Sequence, residues 1–533
     1  MKLLKSSLLG SAAAFAAVGA AHAADLPVKK AAPIEYVRVC SAFGAGFFYI
    51  PGTDTCLRIS GRARFEGGYM TSNSRQAGSN AGDTSGYQGR LRINLDARTQ
   101  TAYGTLRAFV RLDAGARTGY SGIGTSGTQV RIGQAFAGTG VDSAGRDIQQ
   151  VNVDKAFIQF AGLTAGRASS FFDFYAHDFE ITGNTLGSDN ASTNLFAYTA
   201  TFGNGLSATL SVEDPVFRRT PIFAPYSVNN SPVAPVVVAY NRGAPILVNS
   251  IDTVQRERLP DFVGALRLDQ AWGSAQISAA THELNVGNIQ TAVPAGANVN
   301  VAHTNSVQGW AVQGGLKVNT PFVAPGDALY LQGAYGEGAQ LYTGYSAFSG
   351  SYAQNPSTIQ GQKFSQFFSD ATINPVTGQL QTSQSFTAVA SYLHYWSPEW
   401  RSAFFGSYGE QSFGRGARFA QGAAYAAAGS SLISGPNAVG VPGTRFYQLS
   451  QALRDTYQFV AGASLIWSPV KDLDIGVEGF YTQIGLKSGR VIDADKNPGA
   501  YNAVASINNG TFVPRTATQD SVSQIRFRVQ RDF

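Results

Sequence analysis

Segments in which apolar and polar residues alternate recur along the chain from residue 56 to the end. In the segment 57–66, odd positions are apolar or small, while even positions are polar and include three arginines. The segments 88–98 and 103–113 repeat this pattern, again with several arginines on one face. Because successive side chains of a strand point to opposite faces, each segment predicts a strand with one apolar and one charged face.

Such alternation is compatible with a soluble sandwich and with a membrane barrel. The apolar faces contain many small residues, which would underpack a soluble core but suit contact with lipid. No run after the N-terminus approaches the roughly 20 apolar residues that a membrane helix needs. Charged residues make up only 14% of the chain, whereas Gly (60), Tyr (23) and Phe (34) are abundant. This composition favours membrane-spanning strands with aromatic girdles over a helical enzyme.

The connections between these segments are alternately short and long. Short links are expected at Thr99-Gln100, Ala161-Gly162, Gly203-Asn204, 269–272, 320–326, Ser397-Pro398 and Ser468-Pro469. Long polar stretches lie at 69–86, 114–150, 169–193, 214–259, 283–308, 337–383, 410–455 and 487–519. Short turns at one end and long loops at the other are typical of outer-membrane barrels. We therefore predict an all-β protein, a 16-stranded antiparallel transmembrane β-barrel over residues 56–533.

The first 23 residues have the three parts of a secretory signal peptide. Lys2 and Lys5 precede an apolar run from Leu8 to Ala21, and Ala21-His22-Ala23 fits the cleavage pattern. A membrane anchor is the alternative, but the run is too short for one. We expect cleavage after Ala23 and export of the remaining chain.

The only two cysteines, Cys40 and Cys56, lie close together in the sequence. In an exported protein such a pair predicts a disulfide. A metal site would need more ligands, and a reactive thiol would need a nearby histidine. Residues 24–55 are therefore expected to form an N-terminal periplasmic segment closed by the disulfide; its fold is open between a hairpin, an extra strand and a plug.

The C-terminal segment alternates Ile525, Phe527 and Val529 with polar residues, and the sequence ends at Phe533. The alternation predicts a last barrel strand. A terminal aromatic after such a strand resembles the signal read by the barrel-assembly machinery. We expect Phe533 to serve as that signal.

Three segments near the start carry a family resemblance: Tyr36 to Cys40, Gly44 to Gly52, and Cys56 to Gly61. They resemble the N-termini of alphaproteobacterial outer-membrane porins of the Rhizobium and Brucella type, and Arg526 to Phe533 also fits. The resemblance implies a homotrimer in the outer membrane, in contact with lipid and lipopolysaccharide. Each barrel would then be a passive diffusion channel for small hydrophilic solutes and ions, with no cofactor.

In this fold the third external loop folds into the barrel, which assigns a constriction to residues 169–193. The acidic side would comprise Asp173, Asp178, Glu180 and Asp189. The basic wall opposite would comprise Arg62, Arg64, Arg90, Arg92, Arg107 and Arg111. Opposed charges would orient polar solutes in the pore. The alternative is that these arginines are paired in structural networks with Glu66, Asp96 and Asp113.

Enzymatic function is not expected from this sequence. Beyond the signal segment there are four histidines, His177, His282, His303 and His394, and the only cluster is that of His177 with Asp173 and Asp178. An acidic loop explains that cluster without catalysis. No metal-ligand spacing and no basic block of the nucleic-acid-binding kind are present.

Two other functions fit a barrel. A substrate-specific channel would show an ordered aromatic track along its wall. A surface-binding barrel would act through its long external loops and have a lumen sealed against ions. The arginine-rich polar faces favour a general pore.

Overall fold

The fold is known from a computed structural model. It describes residues 38–70, 85–119, 148–181, 183, 185–188, 192–228, 231–241, 244–287, 306–345, 363, 368–428, 435, 438–493, 496–497 and 499–533. Among the described residues, no helix is both long and apolar enough to cross a membrane.

Sixteen long antiparallel strands form one closed sheet. They are β1 Cys56–Met70, β2 Ser85–Thr101, β3 Gly104–Gly119, β4 Ile148–Phe160, β5 Leu163–Ala168, β6 Thr193–Gly203, β7 Leu206–Glu213, β8 Asp261–Gln270, β9 Gly273–Leu284, β10 Val307–Asn319, β11 Ala328–Glu337, β12 Gln384–Tyr395, β13 Trp400–Ser412, β14 Thr456–Val470, β15 Leu473–Leu486 and β16 Gln519–Asp532. Strand β1 pairs with β2 on one side and with β16 on the other, which closes the barrel. The predicted fold class and strand number are confirmed.

The two faces of each strand differ as the alternation predicts. On β2, Arg90 and Arg92 are 8% and 9% exposed, whereas Leu91 and Leu95 are 43% and 38% exposed. The charged face therefore lines the interior, and the apolar face forms the outer surface that lipid covers.

The short turns follow the sequence prediction with small shifts. Ala161 and Gly162 form a two-residue turn at the expected place, both with positive φ. The link expected at Gly203-Asn204 lies one residue later, at Asn204 and Gly205, whose φ values are 48° and 75°. Two-residue hairpin turns of type I′ require positive φ at both positions, and an Asn-Gly pair provides it at little cost.

Two other links were expected too early in the chain. Strand β2 continues to Thr101, whose hydroxyl donates to the Gly104 carbonyl at 2.7 Å and closes the turn. Strand β14 continues to Val470, because a register irregularity after Trp467 accommodates Pro469. A bulge is one of the few strand positions that tolerate a residue without an N–H.

The long loops contain ordered elements that the sequence pattern does not reveal. Their strands are Tyr226–Val228, Ser231–Asn241, Ala244–Asp252, Ala371–Ile373, Leu380–Thr382, Val491–Ile492 and Thr516–Ala517. Their helices are α1 Gln340–Thr343, α2 Ala417–Ala428, α3 Arg445–Leu449 and α4 Val504–Asn508, with 3-10 turns at Pro215–Arg218 and Ala500–Asn502.

Three of these loops pack together into a cap, which we define as the described parts of 214–260, 368–383 and 413–455. The hairpin 231–252 is at its centre, and both faces of its first strand are buried from 233 to 239. The Val237 amide donates to the Pro375 carbonyl at 2.6 Å. The Gln421 side chain of α2 donates to the Ile373 carbonyl, also at 2.6 Å. An apolar cluster including Ile222, Val236 and Ile373 forms the core.

The described part of the N-terminal segment is a short hairpin against the start of β1. Phe48–Tyr49 pairs with Cys56 and Leu57, after a 3-10 turn at Ser41–Phe43. The structure contains the expected disulfide between Cys40 and Cys56. Both cysteines are buried with Phe47 in a small apolar cluster.

Candidate functional site

The described part of loop 3, residues 169–181, 183, 185–188 and 192, lies against the inner face of the barrel. Its backbone is held by inward-facing side chains of successive strands. The Phe172 carbonyl accepts from Ser278 on β9 and Gln313 on β10, both at 2.8 Å. Further along, the Tyr175 amide donates to Gln332 on β11 at 2.9 Å. The Leu186 amide donates to Ser407 on β13, also at 2.9 Å. The Ile181 amide donates to Glu478 on β15 at 2.6 Å. The loop is therefore attached mainly to the half of the wall from β9 to β15. Arg528 of β16 adds one bond from the other side, since its Nη1 donates to the Ile181 carbonyl at 3.0 Å.

Glycines in the wall let apolar side chains of loop 3 approach closely. A Cβ at Gly315 of β10 would lie 2.2 Å from the Phe174 ring. A Cβ at Gly476 of β15 would lie 2.9 Å from Ile181. Nonbonded carbon atoms do not approach so closely. Each glycine therefore leaves room for the side chain of loop 3, which a side chain on the strand would otherwise occupy.

Asp173 of loop 3 is paired with an arginine of the cap. The Arg218 Nη2 atom donates to both carboxylate oxygens at 2.7 Å, and Nη1 donates to the Ser188 hydroxyl at 2.6 Å. Burial alone would lower the pKa of Arg218, but the Asp173 carboxylate raises it above its usual value. Arg218 therefore remains charged, and Asp173 is directed toward the cap rather than the basic wall.

Glu180 accepts hydrogen bonds from its own loop. The Tyr175 hydroxyl donates to Oε1 at 3.1 Å, and the Thr185 hydroxyl donates to the same atom at 2.5 Å. The Thr185 amide donates to Oε2 at 3.1 Å. Burial and the neighbouring Glu180 raise the pKa of Tyr175 well above its usual range, so the phenol remains a donor. Glu180 thus shapes the loop as well as carrying charge.

A polar cavity separates residues 176–181 and 183 of loop 3 from the opposite wall. The predicted residues that border it are Arg62, Arg64, Arg92, Arg111, Asp178 and Glu180. Arg90, Arg107 and Asp173 lie elsewhere, and Asp189 lies outside the described residues. We call this space the loop-3 cavity and its β1–β4 and β16 side the basic wall.

The arginines that do not border the cavity take part in structural ion pairs. Arg90 lies 3.6 Å from Glu66, which also pairs with Arg64 at 3.0 Å. Arg107 donates to both oxygens of Asp96 at 2.9 and 3.0 Å. These ion pairs are those of the alternative interpretation, a network within the wall. The same holds for Arg64 with Glu66 and Arg92 with Asp113, although both arginines also border the cavity.

Several residues at the cavity were not singled out from the sequence. They are Lys155, Arg401, Asp474, Arg528 and, behind the arginines, Asp154. A register irregularity opposite Arg111 and Leu112 allows both Asp154 and Lys155 to face the lumen. Such a bulge interrupts strict alternation, so a period-2 pattern assigns one of the two to the wrong face.

The histidines have structural partners. The His282 ring nitrogen lies 2.9 Å from Asp261, and that of His394 lies 2.7 Å from Asp327. His177 contacts the Thr185 carbonyl at 2.8 Å within loop 3. His303 lies outside the described residues. Within the described part of the chain, no group of histidine, cysteine or acidic residues could hold a metal ion.

Comparisons with known proteins agree on one family. The sequence profile of the family described as porin subfamily matches residues 25–513. Porin Omp2b of Brucella suis is 29% identical over 368 residues, which is 66% of this chain and 78% of that porin. Porin Omp2b of Brucella abortus strain 2308 is 30% identical over 360 residues, with the same shares.

Solved outer-membrane channels were also found. The channel DcaP of Acinetobacter baumannii has a TM-score of 0.49 at 13% identity, covering 91% of this chain and 99% of that one. OmpF of Salmonella typhi has a TM-score of 0.38 at 13% identity, with 91% and 99% covered.

Proposed function

Since the chain belongs to the porin subfamily, we propose that solutes cross the barrel through the loop-3 cavity. The protein is a passive diffusion channel of the outer membrane, a channel rather than an enzyme. The proposal concerns where the pathway is narrowest and which side chains line it there.

The attachment of loop 3 to strands β9–β15 is the observation that carries this proposal. With the loop held mainly on one half of the wall, the open space lies between residues 176–181 and 183 and the basic wall. Fixed charges across a narrow aqueous space produce a strong field, because little water screens them. Arginine suits this position because its guanidinium stays charged at any working pH. Polar solutes are then favoured over apolar ones.

The assembly of the protein is a second part of the proposal. We propose that residues 1–23 are a signal peptide, that 24–55 lie in the periplasm, and that the mature barrels form homotrimers. Lipopolysaccharide and the barrel-assembly machinery are the proposed partners. Family membership and the aromatic Phe533 after β16 support this proposal.

Cysteine labelling tests the proposed pathway. Both native cysteines are joined in the disulfide, so an introduced cysteine is the only thiol that reacts. Asp178→Cys, on the loop side of the cavity, should lose most of its single-channel current after reaction with a bulky methanethiosulfonate reagent. Val513→Cys, on an external loop away from the cavity lining, should react without blocking. A current at Asp178→Cys that survives complete labelling would place the pathway elsewhere.

A further inference from the structure

Cationic side chains outnumber carboxylates on the lining of the loop-3 cavity. Seven described cations border it: Arg62, Arg64, Arg92, Arg111, Lys155, Arg401 and Arg528. Three described carboxylates border it: Asp178, Glu180 and Asp474. A solute in the cavity is therefore surrounded mainly by positive groups.

The carboxylates of the basic wall lie behind its arginines. Arg92 donates to Asp113 through Nε at 2.7 Å and through Nη2 at 2.9 Å. Arg111 lies 3.5 Å from Asp154, and its side chain is 23% exposed whereas that of Asp154 is 0% exposed. These acids hold the guanidinium groups in place but do not contact the water-filled space. An ion in the cavity meets the arginines first.

Arg62 lies among other cations. The positive charges of Arg92, Arg528 and Arg90 lie near enough to repel that of the Arg62 guanidinium. Its ion-pair partner is the Asp532 carboxylate, at 3.1 Å. Asp532 is the last residue of β16, at the short-turn end of the barrel. Like charges held together in a poorly solvated place repel one another, and an anion among them relieves that repulsion.

The acids of loop 3 offset this charge only in part. Asp173 is paired with Arg218 in the cap, and Glu180 is buried and hydrogen-bonded to Tyr175 and Thr185. Asp178 is the exposed carboxylate that loop 3 presents to the cavity. The positive charges of the basic wall therefore outweigh the negative charges that loop 3 presents to the cavity.

We propose that the loop-3 cavity makes this channel selective for small anions. The solutes that gain most are compact carboxylates and phosphates, because guanidinium groups bind such oxyanions in a fork-like geometry. This inference rests on the proposed pathway through the cavity and adds the sign of its selectivity.

The reversal potential in a potassium chloride gradient tests the sign. Chloride should permeate more readily than potassium, by about twofold or more at 0.1 M salt and less at 1 M, because salt screens the fixed charges. Arg62→Gln combined with Arg111→Gln should lower the chloride-to-potassium ratio at least about twofold at 0.1 M. The control is Arg107→Gln, on the same strand as Arg111 and similarly exposed but paired with Asp96 off the cavity. It should change the ratio little.

The sign of the ion selectivity can be measured on the wild-type protein alone. An open wild-type channel that prefers potassium overturns the inference and leaves the pathway intact. Chloride preference that falls equally in the double variant and in Arg107→Gln also overturns it, because the selectivity then arises elsewhere in the lumen. Absence of any current contradicts the proposed pathway itself.

Discussion

Asp173 and Arg218 join loop 3 to the cap through an ion pair whose arginine is fully buried. Both Asp173 oxygens lie 2.7 Å from the same guanidinium nitrogen, and the Arg218 side chain is 0% exposed. Removing one partner of a buried pair leaves an uncompensated charge in a place without water, which is costly. The pair therefore fixes the position of loop 3 at the end where it meets the cap.

We expect Arg218→Gln to lower the free energy of unfolding by about 3 kcal/mol or more. It should also make single-channel currents noisier, since loop 3 loses an anchor. Urea denaturation and bilayer recordings measure the two effects. The control is Arg256→Gln, which removes an exposed arginine of loop 214–260 paired with Asp252. Equal effects of the two substitutions would show that the buried pair has no special role.

The cap joins loops that leave the barrel at distant strands. Hairpin 231–252 leaves the barrel between β7 and β8, whereas α2 leaves it between β13 and β14. Replacing residues 226–253 by a short glycine-serine linker should therefore raise single-channel conductance by widening access to the loop-3 cavity. Deletion variants that retain the heat-modifiable band of a folded barrel are the ones to record. An unchanged conductance in such a variant would mean that the hairpin lies outside the solute path.

Gly61 and Phe533 extend the barrel seam beyond the last strand. The Gly61 amide donates to the Phe533 carbonyl at 2.8 Å, and the Phe533 amide donates to the Gly61 carbonyl at 3.0 Å. A Cβ at Gly61 would lie 2.3 Å from the Arg92 carbonyl oxygen on β2 and 2.8 Å from the Phe533 ring. We expect Gly61→Val to reduce the yield of folded barrel, as deletion of Phe533 should.

Gly89→Ala on β2 is the matched control for Gly61→Val, since a Cβ there meets nothing within 4 Å. Alanine loses less conformational freedom than glycine on folding, so this variant should fold at least as well as the wild type. The heat-modifiable fraction in isolated membranes measures all three variants. Normal folding of Gly61→Val would argue against a role for this contact in assembly.

The Cys40–Cys56 disulfide closes the N-terminal segment onto β1. With a sequence separation of 16 residues, chain entropy predicts a stabilisation of about 3 kcal/mol. Replacing both cysteines by serine should make residues 38–55 sensitive to limited proteolysis and leave the conductance unchanged. Loss of conductance in this variant would connect the segment to the pore. Wild-type protein treated with a reductant provides the comparison.

The sequence was sufficient to predict the barrel, because period-2 alternation and turn chemistry are local properties. The inward arginines of β1–β3 were identified in this way. The depth of these arginines along the pore was not predicted, because it depends on strand tilt and register. Arg90 and Arg107, which lie away from the cavity, could therefore not be distinguished from Arg92 and Arg111, which border it. Asp154 was missed because a bulge breaks the alternation at that point. Arg401 and Arg528 belong to strands far away in sequence that only the closed sheet brings near loop 3.

The path of loop 3 also depends on tertiary contacts. Nothing in the sequence around Gly315 or Gly476 indicates that Phe174 or Ile181 packs against it. The partner of Asp173, Arg218, is 45 residues further along the chain, in a loop whose ordered hairpin and 3-10 turn have no clear periodicity. Long-range pairs of this kind are determined by the whole barrel and not by local pattern.

Single-channel conductance of the wild-type protein in a planar bilayer tests the central claim most directly. A water-filled passive channel should give discrete steps whose size rises nearly in proportion to potassium chloride concentration at high salt, where fixed charges are screened. Reaction of Asp178→Cys with a bulky thiol reagent should then reduce those steps. A purified, folded, heat-modifiable protein that gives no steps at any salt concentration would contradict the account.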